Sequence, residues 1–168
     1  MHYNVQSDLI WDRISLLLRN GAGGLVLVLL VLFTFLSGRL AFWVALGIPT
    51  ALFATLGVML ISGQTINMIS LFALIMTLGI IVDDAIVVGE HAATRRARGM
   101  KPLEAAEAGA VRMLAPVMSS SMTTIAAFMP IFMISSIIGQ VISAIPFVVI
   151  AVLLASLVEC FLVLPGHL

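Results

Sequence analysis

The stretch GIIVDDAIVVGE, residues Gly79 to Glu90, sets two aspartates side by side in a run that is otherwise apolar. Upstream, Ile66 to Leu78 carries no charge, so the segment 66–89 has the length and composition of a membrane-spanning helix. On such a helix an aspartate near the centre costs about 2.5–3.5 kcal/mol, and each Ile, Leu, Val or Phe returns about 0.3–0.6 kcal/mol. The 12 such residues between Ile69 and Val88 supply roughly 4–7 kcal/mol, against about 5–7 kcal/mol for the two acids. The segment is near break-even alone, and is expected in a bundle with its acids facing protein or water.

The rest of the chain supplies that bundle. Of its 168 residues 62% are hydrophobic and 10% charged, with a mean hydropathy of +1.23. A water-soluble domain of this size could not hide so much apolar surface. Five spans are expected, at 21–36, 40–61, 66–89, 113–134 and 141–164, making residues 21–168 a transmembrane bundle. Pro49, Pro116, Pro130 and Pro146 fall inside them, which neighbouring helices tolerate. The fold class is therefore an all-α membrane protein. Zero net charge gives no reason to expect nucleic acid, and Cys160, as the single cysteine, reads as a small buried hydrophobe. Nothing in the spacing of His, Cys, Asp and Glu suggests a metal ligand set, a cofactor cradle or an enzyme's nucleophile and base. The opening Met1 to Asn20 shows no cleavable-signal pattern.

Charge gives the orientation. Arg95, Arg96, Arg98, Lys101 and Arg112 crowd the loop 90–112, and Arg39 falls on the same side, whereas the links at 62–65 and 135–140 are uncharged. The positive-inside rule makes the basic side cytoplasmic, with the chain ending inside near His167. Within that loop a helix is expected to end at Gly99 and another to start at Pro102, with Leu103, Ala106, Ala110, Val111 and Leu114 on one face. Residues 1–20 read as an amphipathic helix on the outer interface or, equally, as a soluble-domain helix that precedes the membrane. Ser7 is its expected cap, Leu9, Ile10, Ile14, Leu17 and Leu18 form its apolar face, Asp8, Asp12, Arg13 and Arg19 lie mostly opposite, and Trp11 sits at the lipid boundary.

Adjacent helical residues point about 100° apart, so Asp83 and Asp84 cannot share one partner equally, and as neighbours they titrate as a coupled unit. The spans contain no Lys, Arg or His in their interiors, so a cationic partner would have to come from outside this chain. Two acids at that depth suit a proton pathway better than a structural ion pair. Gly79, four residues before Asp83, is expected to let a neighbouring helix approach closely. Three other features allow two readings each. Met118, Met122, Met129 and Met133 lie within about 60° of one helix face and suit either gap-filling packing or a soft-metal relay. Ser119, Ser120, Ser121, Thr123 and Thr124 suit packing or a water path. Glu159 is expected as an interfacial carboxylate reaching for water or as a second titratable site.

The double-aspartate segment INMISLFALIMTLGIIVDDAIVVGE (66–90) resembles that of resistance-nodulation-division (RND) efflux transporters, the proton-driven pumps of bacterial inner membranes. The likeness extends over SDLIWDRISLLLRNG (7–21), SGRLAFWVALGIP (37–49), MLAPVMSSSMTTIAAFMPIF (113–132) and LPGHL (164–168). It implies that Asp83 and Asp84 are the family's proton-relay pair and that Gly79 is its helix-packing glycine. It further implies a multi-pass inner-membrane pump of twelve helices in two halves, working as a homotrimer with a periplasmic adaptor and an outer-membrane channel. The five spans would be helices two to six of the first half. The other half would supply the lysine and hydroxyls that engage the aspartates, so the chain is expected to be a fragment of such a pump. The competing expectations are a non-transporting assembly module of the same fold and a fragment of a copper- or silver-exporting pump.

Overall fold

The computed structural model describes the backbone of residues 3–166 and the side chains of residues 11–166. The main helices are α1 (Tyr3–Phe35), α2 (Gly38–Ile61), α3 (Met68–Ala97), α4 (Pro102–Phe128), α5 (Ile137–Ile142) and α6 (Ala144–Val158). A 3₁₀ turn, Met129–Met133, extends α4; a π-helical turn, Glu159–Val163, and a 3₁₀ turn, Leu164–Gly166, extend α6. No strand occurs among the described residues, and five stretches are long and apolar enough to cross a membrane: Trp11–Phe35, Gly38–Ile61, Met68–Ala97, Pro102–Met133 and Ile137–Gly166. The chain is an all-α, multi-pass membrane bundle.

Helix boundaries follow local chemistry. Asn67 opens α3 with a capping box: its side chain accepts from the Ile69 and Ser70 amides, while Ser70 Oγ accepts from the Asn67 amide at 2.8 Å. At the other end Gly99, at φ +94°, closes α3. The Gly99 amide donates to Arg96 O and that of Met100 to Arg95 O, the paired reverse bonds that a left-handed glycine permits. Pro102 then starts α4, where its missing N–H is no loss.

Several expectations change. The amphipathic N-terminal stretch is not a separate helix: α1 is continuous from Tyr3, so Ser7 sits within it and not at its start. No residue between Asn20 and Leu25 breaks the helix despite three glycines there, because an apolar tract in a spanning helix keeps its backbone bonds internal. The Ser7 side chain, the placement of Asp8, Leu9 and Ile10, and the end at His167 lie outside the described residues. In the loop 90–112, α3 ends at Ala97 and a helix starts at Pro102 as expected, but that second helix is not separate from the fourth span: it continues unbroken as α4 to Phe128. There the expected apolar face is kept only in part: Ala106 and Ala110 are buried, together with Ala105 and Gly109, whereas Leu103, Val111 and Leu114 are exposed. Close backbone approach decides this, since a Cβ at Gly109 would come within 2.9 Å of the Ala92 amide nitrogen.

Helix α3 is the centre of the bundle and packs against α1, α2, α4 and α6, while α6 also lies along α2. The core runs through Leu40, Val44 and Ile48 of α2, Ile81, Ala85 and Val88 of α3, and Val148 and Val152 of α6. The acidic segment is therefore held from several sides.

Candidate functional site

The 100° step between neighbours on α3 separates the two acids. Asp84 turns inward and is 8% exposed, whereas Asp83 is on the helix's exposed side. Together they border a cavity of about 490 Å³ between α3, α4 and α6, lined also by Val117, Ser120, Ser121, Thr124 and Leu153. Pro116 on its α4 wall cannot donate a backbone N–H. No basic side chain lines this cavity. Of the lining residues, Asp84 and Ser121 each have a buried side-chain oxygen, Oδ2 and Oγ, with no hydrogen-bond partner.

Three of the other four hydroxyls in this run are occupied at home. Ser120 Oγ donates to Val117 O at 2.9 Å, Thr123 Oγ1 to Ser119 O at 2.8 Å, and Thr124 Oγ1 to Ser120 O at 3.1 Å. On the α6 side, Ser156 Oγ donates across to Ile81 O of α3 at 3.3 Å and lies 4.0 Å from the buried Cys160 Sγ. That bond ties α6 to α3 one turn before the acids.

Three sequence expectations shift here. Gly79 packs against nothing in the described chain: a Cβ placed there would meet no atom within 4 Å. Its spacing from Asp83 puts it on the same outward side, away from the helices that cover Asp84. The glycines that admit close neighbours include Gly21, Gly47, Gly89 and Gly109 between helices, and Gly139 against the Ile134 carbonyl. Glu159 does not reach toward water; it is buried in the π-helical turn with its carboxyl against Gly47 of α2. The four methionines, Met118, Met122, Met129 and Met133, are all exposed on the outer side of α4, so they fill no gap in this bundle's core.

Two residues escaped the sequence reading. Ser121 could not be singled out among five hydroxyls without knowing which one α3 covers. His91 follows Asp84 by seven residues, nearly two turns, and its Nε2 is buried with no hydrogen-bond partner. That spacing was legible, and it places the imidazole on the Asp84 side of α3, toward the basic end.

Comparison with known proteins follows the same segment. The AcrB/AcrD/AcrF family model matches residues 4–166. The multidrug resistance protein MdtC of Pantoea ananatis (strain AJ13355) is 42% identical over 115 residues, covering 68% of this chain and 11% of the relative. MdtC of Shigella flexneri is 40% identical over 115 residues, with the same coverage. The X-ray crystal structure of a heavy metal efflux pump superposes on 96% of this chain with a TM-score of 0.82 at 30% identity, using 16% of that pump's chain. The present chain thus spans about a ninth of the length of these MdtC relatives (11%). A matched family model running almost end to end, on a bundle built around the paired acids, places this protein in the AcrB/AcrD/AcrF family of RND efflux transporters.

Proposed function

We propose that Asp83 and Asp84 relay protons and that their protonation drives an efflux pump of which this bundle forms part. The observation that carries the reading is the unlike setting of the two neighbours. Asp84 borders the groove between α3, α4 and α6 and has a buried oxygen with no hydrogen-bond partner, and Asp83 lies on the exposed side of the same helix. A carboxylate bordering a cavity roomy enough for water can exchange protons with it, because water supplies both donor and acceptor. The exposed neighbour is placed to meet a group from outside the chain. In a complete pump that group is a cation from the other half, consistent with the lack of any basic side chain in the cavity's lining. Uptake of a proton by Asp84 removes a charge from between α3, α4 and α6, and loss of that charge changes how tightly the outward carboxylate holds its partner.

In this reading the basic ends of α3 and α4 lie in the cytoplasm and the pump sits in the bacterial inner membrane, its orientation set by Arg95, Arg96, Arg98 and Lys101. Gly79 and the exposed faces of α1 and α4 meet the remaining helices of a homotrimer, which works with a periplasmic adaptor and an outer-membrane channel. Drugs and other small molecules are the exported class, as the names of the 40–42% identical relatives suggest. None of the four methionines lines the carboxylate cavity, and they give no separate support to soft-metal export. The test is Asp83→Asn and Asp84→Asn in the complete pump. Both variants are expected to insert and assemble yet leave cells as drug-sensitive as a pump deletion. Wild-type resistance with either one would falsify the relay.

A further inference from the structure

A second cavity, of about 440 Å³, opens at the basic end of the bundle, between the first turn of α2, the last turns of α3 and the first turn of α4. Arg39 of α2 and Arg96 of α3 both line it, and much of the remaining wall is small and apolar, as at Gly89, Ala92 and Ala105. No Asp or Glu among the described residues lines it. Glu104, between the lining residues Pro102 and Ala105, pairs with Lys101 at 3.9 Å. Two guanidiniums brought to one cavity from different helices, with no carboxylate on its wall, leave a local excess of positive charge that favours an anion. Both arginines are exposed. A guanidinium carries several N–H donors in a fork that fits phosphate, so a phosphate adds to the contacts each already makes. The N-terminal turns of α2 and α4 add partial positive charge at the same place.

Depth identifies the anion. Asp84 lies near the middle of the spanning stretch Met68–Ala97. Arg96 follows it by 12 residues, or about 18 Å along the helix axis. The hydrocarbon core reaches only about 15 Å from its centre, so Arg96 stands at headgroup level. From Arg39 toward the bilayer centre, Phe42, Leu46 and Phe53 lie within about 60° of it on α2, and all three are exposed. We propose that this cavity holds the phosphate of an anionic phospholipid between Arg39 and Arg96, with an acyl chain lying over Phe42 and Leu46. Basic pockets between spanning helices at the membrane surface suit such headgroups. A free phosphate would use the same two arginines and leave the apolar strip uncovered. The inference goes beyond the relay reading and does not depend on it.

Native mass spectrometry of the 168-residue chain, released from neutral detergent with phosphatidylglycerol or phosphatidylcholine added, tests this. The wild type is expected to retain phosphatidylglycerol in preference to phosphatidylcholine, whose own cation would meet two arginines. R39Q and R96Q are each expected to weaken retention about fivefold, the weight of one basic residue at an anionic membrane surface. R98Q removes the same charge away from the cavity wall, and is expected to stay within about twofold of wild type. R96K keeps the charge, and with it insertion, but loses the fork, so it is expected to fall between wild type and R96Q. Equal loss in R39Q, R96Q and R98Q, or equal retention of the two lipids, means diffuse attraction and overturns the site. Displacement of the lipid by excess inorganic phosphate shows a free-anion site and overturns the lipid assignment. A complete pump that retains no phosphatidylglycerol sensitive to R39Q and R96Q overturns it too, because its other helices then cover the cavity.

Discussion

Asp84 and Glu159 are both buried carboxyls, at 8% and 6% exposure, yet their surroundings differ in kind. Asp84 borders a cavity with hydroxyls on the opposite wall. Glu159 is wedged against the backbone of Gly47, where even a methyl group would collide with its carboxyl, and the groove it borders between α2 and α6 is lined by Ala51, Ala54, Leu154, Ala155 and other mostly apolar residues. Burial alone therefore does not mark a working acid. What distinguishes Asp84 is its place beside a second acid, Asp83, on a cavity whose facing wall carries hydroxyls. Glu159 has its space filled by design of the glycine opposite, which suits a fixed contact between α2 and α6.

The largest expected effect breaks this comparison outright if it fails. In the complete pump, Asp84→Asn lowers drug efflux by at least about a hundredfold, the scale on which a positioned proton-transfer group acts. Glu159→Gln keeps shape and hydrogen-bonding capacity, and is expected to stay within about twofold of wild type, about half a kcal/mol on a rate. Efflux assays on matched membrane levels decide it. Equal loss in both variants would show that the crowded carboxyl works as hard as the one beside the cavity.

The next effect concerns stability. Gly47→Ala drives a Cβ into the Glu159 carboxyl, an overpacking expected to destabilise the chain by about 1–3 kcal/mol. Adding Glu159→Ala removes the obstacle, so the double variant is expected to regain part of that loss in a detergent unfolding titration. Strict additivity of the two losses would mean that the side chains do not meet, since neighbours that share a contact couple and distant ones do not.

How much of this was legible in the sequence depends on whether the signal was local. The helical class, the five crossings and the paired acids were legible because a charge in an apolar run stands out at a single position. Gly99 and Pro102 were legible because their backbone chemistry is their own. The Asn67 cap was missed, although Asn67 and Ser70 stand at capping-box spacing. What was missed in 90–112 is that the helix opened by Pro102 does not stop before the fourth span but runs on through Pro116 to Phe128 as one helix, α4. What could not be read was tertiary. Gly79 was chosen for its distance from Asp83, whereas the glycines that pack within this chain, Gly47, Gly89 and Gly109 among them, are set by which helix lies opposite. Ser121 differs from Ser120 only in the direction that α4 turns it.

The smallest expected effect sharpens the contrast at those glycines. Gly109 and Gly47 each have a neighbour within reach of an added Cβ, and Gly79 has none. In the chain by itself, Gly79→Ala adds no collision and removes the backbone freedom of a helical glycine, so it is expected to stabilise by roughly 0.5–1 kcal/mol. Gly109→Ala must push against the Ala92 backbone, at 2.9 Å from its amide nitrogen, and is expected to destabilise by about 1–3 kcal/mol. Opposite signs in the same unfolding titration would locate the tight α3–α4 seam at the basic end of the bundle and leave the Gly79 side open. The same Gly79→Ala change in a complete pump then becomes informative. A loss of efflux there, against a gain of stability here, means that the face carrying Asp83 is covered only by helices this chain does not contain.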